Sequence, residues 1–132
     1  MRDGKFVILY VDDDPDFLEG MRTVLEASGY IMVEADSAET GIPVFKKEEP
    51  DLILLDLMME EVDAGTAFVR ELQRLGANVP ILMVSSVGDN LSLSADYAEL
   101  GLDGIFQKPV DPDILLTVLK SKLDRATKEQ PS

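Results

Sequence analysis

Short apolar runs of strand length, each ending at a polar residue, recur along this chain, and their recurrence restricts the fold more than any other feature. Val7 to Val11 stops at Asp12-Asp13-Asp14-Pro15, and Leu52 to Leu55 stops at Asp56. Ile81 to Val84 stops at Ser85-Ser86, and Ile105-Phe106-Gln107 stops at Lys108-Pro109. The segments between them are longer and carry apolar residues at helical spacing. Uninterrupted apolar strands alternating with amphipathic helices are the pattern of a parallel sheet covered on both faces. Open sheets of this kind bind ligands at the carboxyl ends of their strands. Asp12, Asp13, Asp56, Ser85 and Lys108 are therefore expected to converge on one site.

The chain reads as five β-α units. The first strand, about Phe6 to Val11, leads into a helix from Pro15 to Ser28. Asp14 is its expected N-cap, Pro15 its first residue and Gly29 its terminator. Phe17, Met21, Val24 and Leu25 are the expected sheet-facing stripe. Ile31 to Ala35 is a second strand, followed by a helix capped by Asp36 or Ser37 and carrying Ala38, Ile42 and Phe45, which Pro43 is expected to shorten or bend. Asp51 to Asp56 is the third strand. A loop then reaches Gly65, and a helix runs to about Leu75, where Gly76 stops it. The fourth strand extends to Val84. Asn90 to Leu100 reads as a marginal helix, Asp103 to Gln107 as the fifth strand, and Pro112 to about Arg125 as a last amphipathic helix. This divides the chain into a domain over residues 1–125 and a tail or linker over 126–132.

Composition removes whole classes of chemistry. With neither cysteine nor histidine among the 132 residues, the chain offers no disulfide, thiol nucleophile, Ser-His-Asp triad, phosphohistidine or imidazole-bound metal. A formal charge of −14, from 26 acidic and 12 basic residues, opposes direct contact with nucleic acid or anionic lipid. The first apolar run is too short for a signal peptide or a membrane span, so a soluble, cytoplasmic protein is expected. A glycine-rich phosphate loop is missing after the first strand, and the acids there would repel a nucleotide's phosphates.

Each site candidate alone has an ordinary structural explanation. Acids after a strand favour the positive end of the next helix, serine commonly ends a strand, and most lysines are solvated. Asp14 already accounts for the cap, however, and a carboxylate at the end of a central apolar strand is costly to desolvate without a partner. Carboxylates held a few ångströms apart repel one another until a cation joins them. Oxygen-only ligation selects a hard ion, Mg²⁺ before Mn²⁺ or Ca²⁺. A divalent ion beside the ammonium of Lys108, whose backbone Pro109 restricts to an extended form, suits the charge on a transferring phosphoryl group.

From about Phe6 to Leu123 the chain resembles the receiver domains of two-component response regulators. Val11-Asp12-Asp13, the strand Asp51 to Asp56 with Leu57-Met58-Met59, the Ser85-Ser86 pair and Lys108-Pro109 follow that family's order and spacing. The resemblance implies an α/β fold, a doubly wound five-stranded parallel sheet in a (βα)5, flavodoxin-like three-layer sandwich. It implies that Asp56 is the phosphoacceptor, served by a phosphohistidine on a sensor histidine kinase or phosphotransfer protein. Asp13, Asp56 and the main-chain carbonyl of Met58 would hold Mg²⁺, with Asp12 acting through water. Lys108 would pair with phosphoryl oxygens, and Ser85 would move inward to meet one. That movement would alter the surface shared by the marginal helix, the fifth strand and the last helix, where an output protein or a phosphorylation-dependent dimer partner binds. Such a domain is not an enzyme in the usual sense but promotes its own phosphorylation and dephosphorylation.

Glu60 stands where the family commonly has proline, Ala64 where glycine usually follows Asp63, and Ile105 at the aromatic switch position. Ala64 and Ile105 keep a phosphorylation-independent interaction module in view, and the shared use of an aspartyl phosphate, Mg²⁺, a hydroxyl and a lysine keeps a haloacid-dehalogenase-like phosphatase in view, whose nucleophile would sit at the end of the first strand.

Overall fold

Five parallel strands whose side chains alternate between two faces build two separate cores, one on each side of a single sheet. The computed structural model describes residues 4–56, 64–85, 104–107 and 110–129. The strands are β1 (Val7–Val11), β2 (Ile31–Ala35), β3 (Leu52–Asp56), β4 (Ile81–Ser85) and β5 (Gly104–Gln107). The helices described are α1 (Pro15–Ala27), α2 (Ala38–Glu48), α3 (Ala64–Arg74) and α4 (Pro112–Glu129). The strand order is β2-β1-β3-β4-β5 and every pairing is parallel, so the expected doubly wound sheet is present. The segment read as a marginal helix, Asn90 to Leu100, lies outside the described residues.

The period of two along the strands sorts residues between the faces. Ile8, Tyr10, Leu52, Leu54, Leu82, Val84 and Phe106 point to one side, where Leu18, Met21 and Leu25 of α1 and Leu115, Leu119 and Leu123 of α4 cover them. Leu9, Val11, Ile53, Leu55, Ile81 and Met83 point to the other, beneath Phe68, Val69 and Leu72 of α3 and the flank of α2. β1 and β3 are buried at every position, which is why neither shows a polar alternation. Asp51 ties these two central strands at their start, its carboxylate accepting from the Val7 amide at 2.8 Å while its own amide donates to the Val7 carbonyl at 2.7 Å. Arg22 of α1 donates to the Met32 carbonyl and pairs with Glu34, anchoring that helix over β2.

Three elements differ from the sequence expectation. The buried stripe of α1 is Leu18, Met21 and Leu25, with Phe17 and Val24 only partly covered at its margin. The expected stripe was rotated by about one position, because the two-sided flank of a helix reads as apolar as its centre. Pro43 neither ends nor shortens α2, which runs through it from Ala38 to Glu48. The hydrogen bond that Pro43 cannot make lies near the start of the helix. A capping box between Ser37 and Thr40 and the packing of Ile42 and Phe45 hold that end in place. At the other end of the chain, α4 continues to Glu129 through residues expected to be a tail. Ala126, Thr127, Lys128 and Glu129 contain no terminator, and the next proline is Pro131.

Two helical glycines offer a test of this packing. A Cβ on Gly20 of α1 would meet nothing, whereas one on Gly41 of α2 would lie 2.7 Å from the ring of buried Phe68. Gly20→Ala should raise stability by about 0.5–1 kcal/mol through helix propensity alone. The same change at Gly41 should lower it by about 1 kcal/mol as overpacking outweighs propensity. Urea unfolding of both variants measures the opposite signs.

Candidate functional site

The register of the central strands creates the site. Val11 is the partner of Leu55 across β1 and β3, so the next residues, Asp12 and Asp56, leave the sheet side by side. The inherited alternation gives both the same facing as Tyr10 and Leu54. Asp12 is fully buried and Asp56 is 3% exposed, while Asp13 reaches solvent. Carboxylate oxygens from Asp12, Asp13 and Asp56 lie within 4.8 Å of one another.

Local hydrogen bonding explains the posture of the first acid. The Asp14 amide donates to Asp12 Oδ1 at 3.0 Å. Asp14 in turn caps α1, its Oδ1 accepting from the amides of Asp16 and Phe17 at 3.0 and 3.4 Å. The helix therefore begins with its amide ends toward the acidic cluster, an orientation that favours negative charge there. Asp14 is the cap that the sequence indicated, but Asp12 is also held by the backbone of the same turn.

The residue that the sequence reading passed over is Tyr10. It is completely buried, two positions before Asp12 on the same face of β1. Its hydroxyl has no hydrogen-bond partner among the described residues. Burial first, then the negative fields of Asp12 and Asp56, push the phenol well above its usual range and keep it protonated. The hydroxyl's approach to the Asp12 carboxylate acts in the same direction while falling short of hydrogen-bond geometry. The period of two along the strand is the signal that places Tyr10 on the face of Asp12.

The donor set fits a hard divalent cation. All three groups are carboxylates, two fixed by burial and one open to water, as suits an ion that keeps part of its hydration shell. Ser85 ends β4 one residue beyond Val84, the partner of Asp56, and pairs with Gln107, the last residue of β5. The backbone of Ser85 is thus at the same edge of the sheet. Lys108 and Met58 lie outside the described residues.

Residues 8–120 match the family model described as the response regulator receiver domain. The chain belongs to the response regulator receiver domain family. It is 35% identical over 121 residues to a probable transcriptional regulator ycf27 of Porphyridium aerugineum, covering 92% of this chain and 49% of that protein. It is 34% identical over 120 residues to the phosphate regulon transcriptional regulatory protein PhoB of Pseudomonas aeruginosa, covering 89% of this chain and 52% of that one. The receiver domain thus spans about half the length of these curated relatives. Its fold matches the crystal structure of a CheY-like response regulator receiver domain protein from Methanospirillum hungatei with a TM-score of 0.88 and 31% identity, over 96% of this chain and all of the other.

Membership in the receiver family decides against the haloacid-dehalogenase-like reading. Among the described residues no helix is long and apolar enough to cross a membrane.

Crowding of carboxylates has a measurable consequence. Neutralising the exposed member relieves repulsion in the metal-free protein. Asp13→Asn should therefore raise the melting midpoint by a few degrees in chelator at low salt. Added sodium chloride should shrink the difference by screening, which paired thermal melts at low and high salt would measure.

Proposed function

We propose that this receiver domain is a phosphoacceptor in a two-component pathway and that Asp56 is the residue modified. The observation that carries the reading is the buried Asp56 carboxylate held within 4.8 Å of Asp12 and Asp13 at the carboxyl edge of the sheet. An oxygen of Asp56 attacks the phosphorus of a phosphohistidine on a sensor histidine kinase or phosphotransfer protein. The P–N bond breaks and its electron pair stays on the imidazole nitrogen. Asp13 and Asp56, with the Met58 carbonyl, would hold Mg²⁺, with Asp12 acting through water. When bound, Mg²⁺ offsets the negative charge that gathers on the phosphoryl oxygens. Lys108 supplies a positive charge to the same oxygens, and the Ser85 hydroxyl donates to one of them once the phosphoryl group is in place.

Burial serves this chemistry in a second way. Asp56 emerges from a strand with no exposed position, while Asp13 beside it is open to solvent. The phosphorylated domain then shifts between two conformers and presents a changed face to its partner. The relatives it aligns with are transcriptional regulators about twice its length. We assign the output to a protein partner or output region of that class, with phosphorylation-dependent dimerisation as one route. With a formal charge of −14, direct contact between this domain and nucleic acid is disfavoured. A cytoplasmic setting follows from a kinase-fed pathway. The domain promotes its own phosphorylation and dephosphorylation and turns over no external substrate.

Incubation with a small phosphodonor and Mg²⁺ should add one phosphoryl group, mapped to Asp56 by mass spectrometry. Asp56→Asn should reduce incorporation to background, and chelator should do the same to the parent. A label on Asp12 instead, or unchanged labelling of Asp56→Asn, would overturn the assignment. Equal partner affinity with and without beryllofluoride would favour the phosphorylation-independent module.

A further inference from the structure

The hydroxyl of Tyr10 has no structural purpose in the described fold. Phenylalanine would fill the same volume, and the ring already packs against Phe17 with centroids 5.9 Å apart. A buried donor without an acceptor is unfavourable, and native proteins keep few of them. The oxygen lies on the axis of the ring, so ring flips leave it in place, and the neighbouring ring limits larger movements. Asp12, two residues on and on the same face of β1, is a fully buried carboxylate.

We infer that Tyr10 is a positioning residue for the metal centre, its hydroxyl donating a hydrogen bond to the Asp12 carboxylate when a divalent cation is held by Asp13 and Asp56. This deepens the proposed function and rests on its metal site. A carboxylate has about four acceptor positions, enough for the Asp14 amide, the cation's hydration shell and a phenol together. Carboxylates at metal sites are commonly oriented by such outer donors. The phenol suits the task because it offers a single O–H donor to a carboxylate oxygen. It also adds no charge to an already crowded cluster. Asp12, already held on one side by the Asp14 amide, then presents its remaining acceptor positions to the cation's water.

The test separates two quantities that a purely structural tyrosine would move together. Tyr10→Phe removes an unpartnered buried hydroxyl, so the variant should melt in chelator at or above the parent's temperature. Its affinity for magnesium chloride, from calorimetric titration, should nevertheless fall about tenfold, the lower end of what loss of an outer donor causes. The chain contains no tryptophan and only three tyrosines, so a second readout is direct. In a Tyr30→Phe/Tyr97→Phe variant, in which Tyr10 is the sole tyrosine, magnesium chloride should produce a near-ultraviolet tyrosine difference band.

Equal magnesium affinity of parent and Tyr10→Phe, or a flat difference spectrum from the Tyr10-only protein, would overturn the assignment. If the parent binds magnesium, Asp13→Asn does not, and Tyr10→Phe binds as the parent does, only the role of Tyr10 fails. If the parent itself takes up no magnesium, the metal site beneath it fails as well, and both readings are overturned.

Discussion

Everything else in this domain is built around two carboxylates buried next to each other at the edge of an apolar sheet. The pairing of Val11 with Leu55 makes the adjacency of Asp12 and Asp56 unavoidable, because parallel strands advance in step. Burying one charge is expensive, and burying two of the same sign is more so. The fold tolerates them because the register is set elsewhere: by continuous burial along β1 and β3, and by Asp51 bridging their starts. The acids cannot separate without dislocating strands that anchor both cores.

The surroundings ease the strain without removing it. α1 begins beside the cluster, and the amide of its N-cap, Asp14, donates to the Asp12 carboxylate. Asp13 remains in contact with water, so a cation can enter from that side. A site of this kind is poised: it holds negative charge densely enough to attract a hard cation, yet on strands too well packed to collapse around it. The helices α1 and α4 on one face and α2 and α3 on the other supply that rigidity.

Much of this was legible from residue order. Polar residues ending apolar runs located Asp12, Asp13 and Asp56, and all three are together in space. Asp14, Pro15, Gly29 and Gly76 marked helix boundaries correctly because caps and left-handed turns depend on one or two residues. The misjudgements share a cause. Pro43 was expected to shorten or bend α2 by its local effect alone, while packing across α2 and α3 carries the helix through it at full length. The stripe of α1 shifted by about one position because the sheet it packs on, not the helix's own apolar pattern, decides which flank is covered. Tyr10 carries no signal of its own within the apolar run of β1, and only the neighbourhood of its oxygen distinguishes it from phenylalanine.

By itself, the sequence determined the class of fold, the direction of the strands and the identity of the clustered acids. These follow from short-range pattern: apolar run, polar stop, helical period, repeated. Tertiary structure alone decided which acids are buried, how closely their oxygens approach and which uncharged group stands behind them. Those properties depend on the register between strands that are more than forty residues apart in the chain, and no local pattern encodes a distance of that kind.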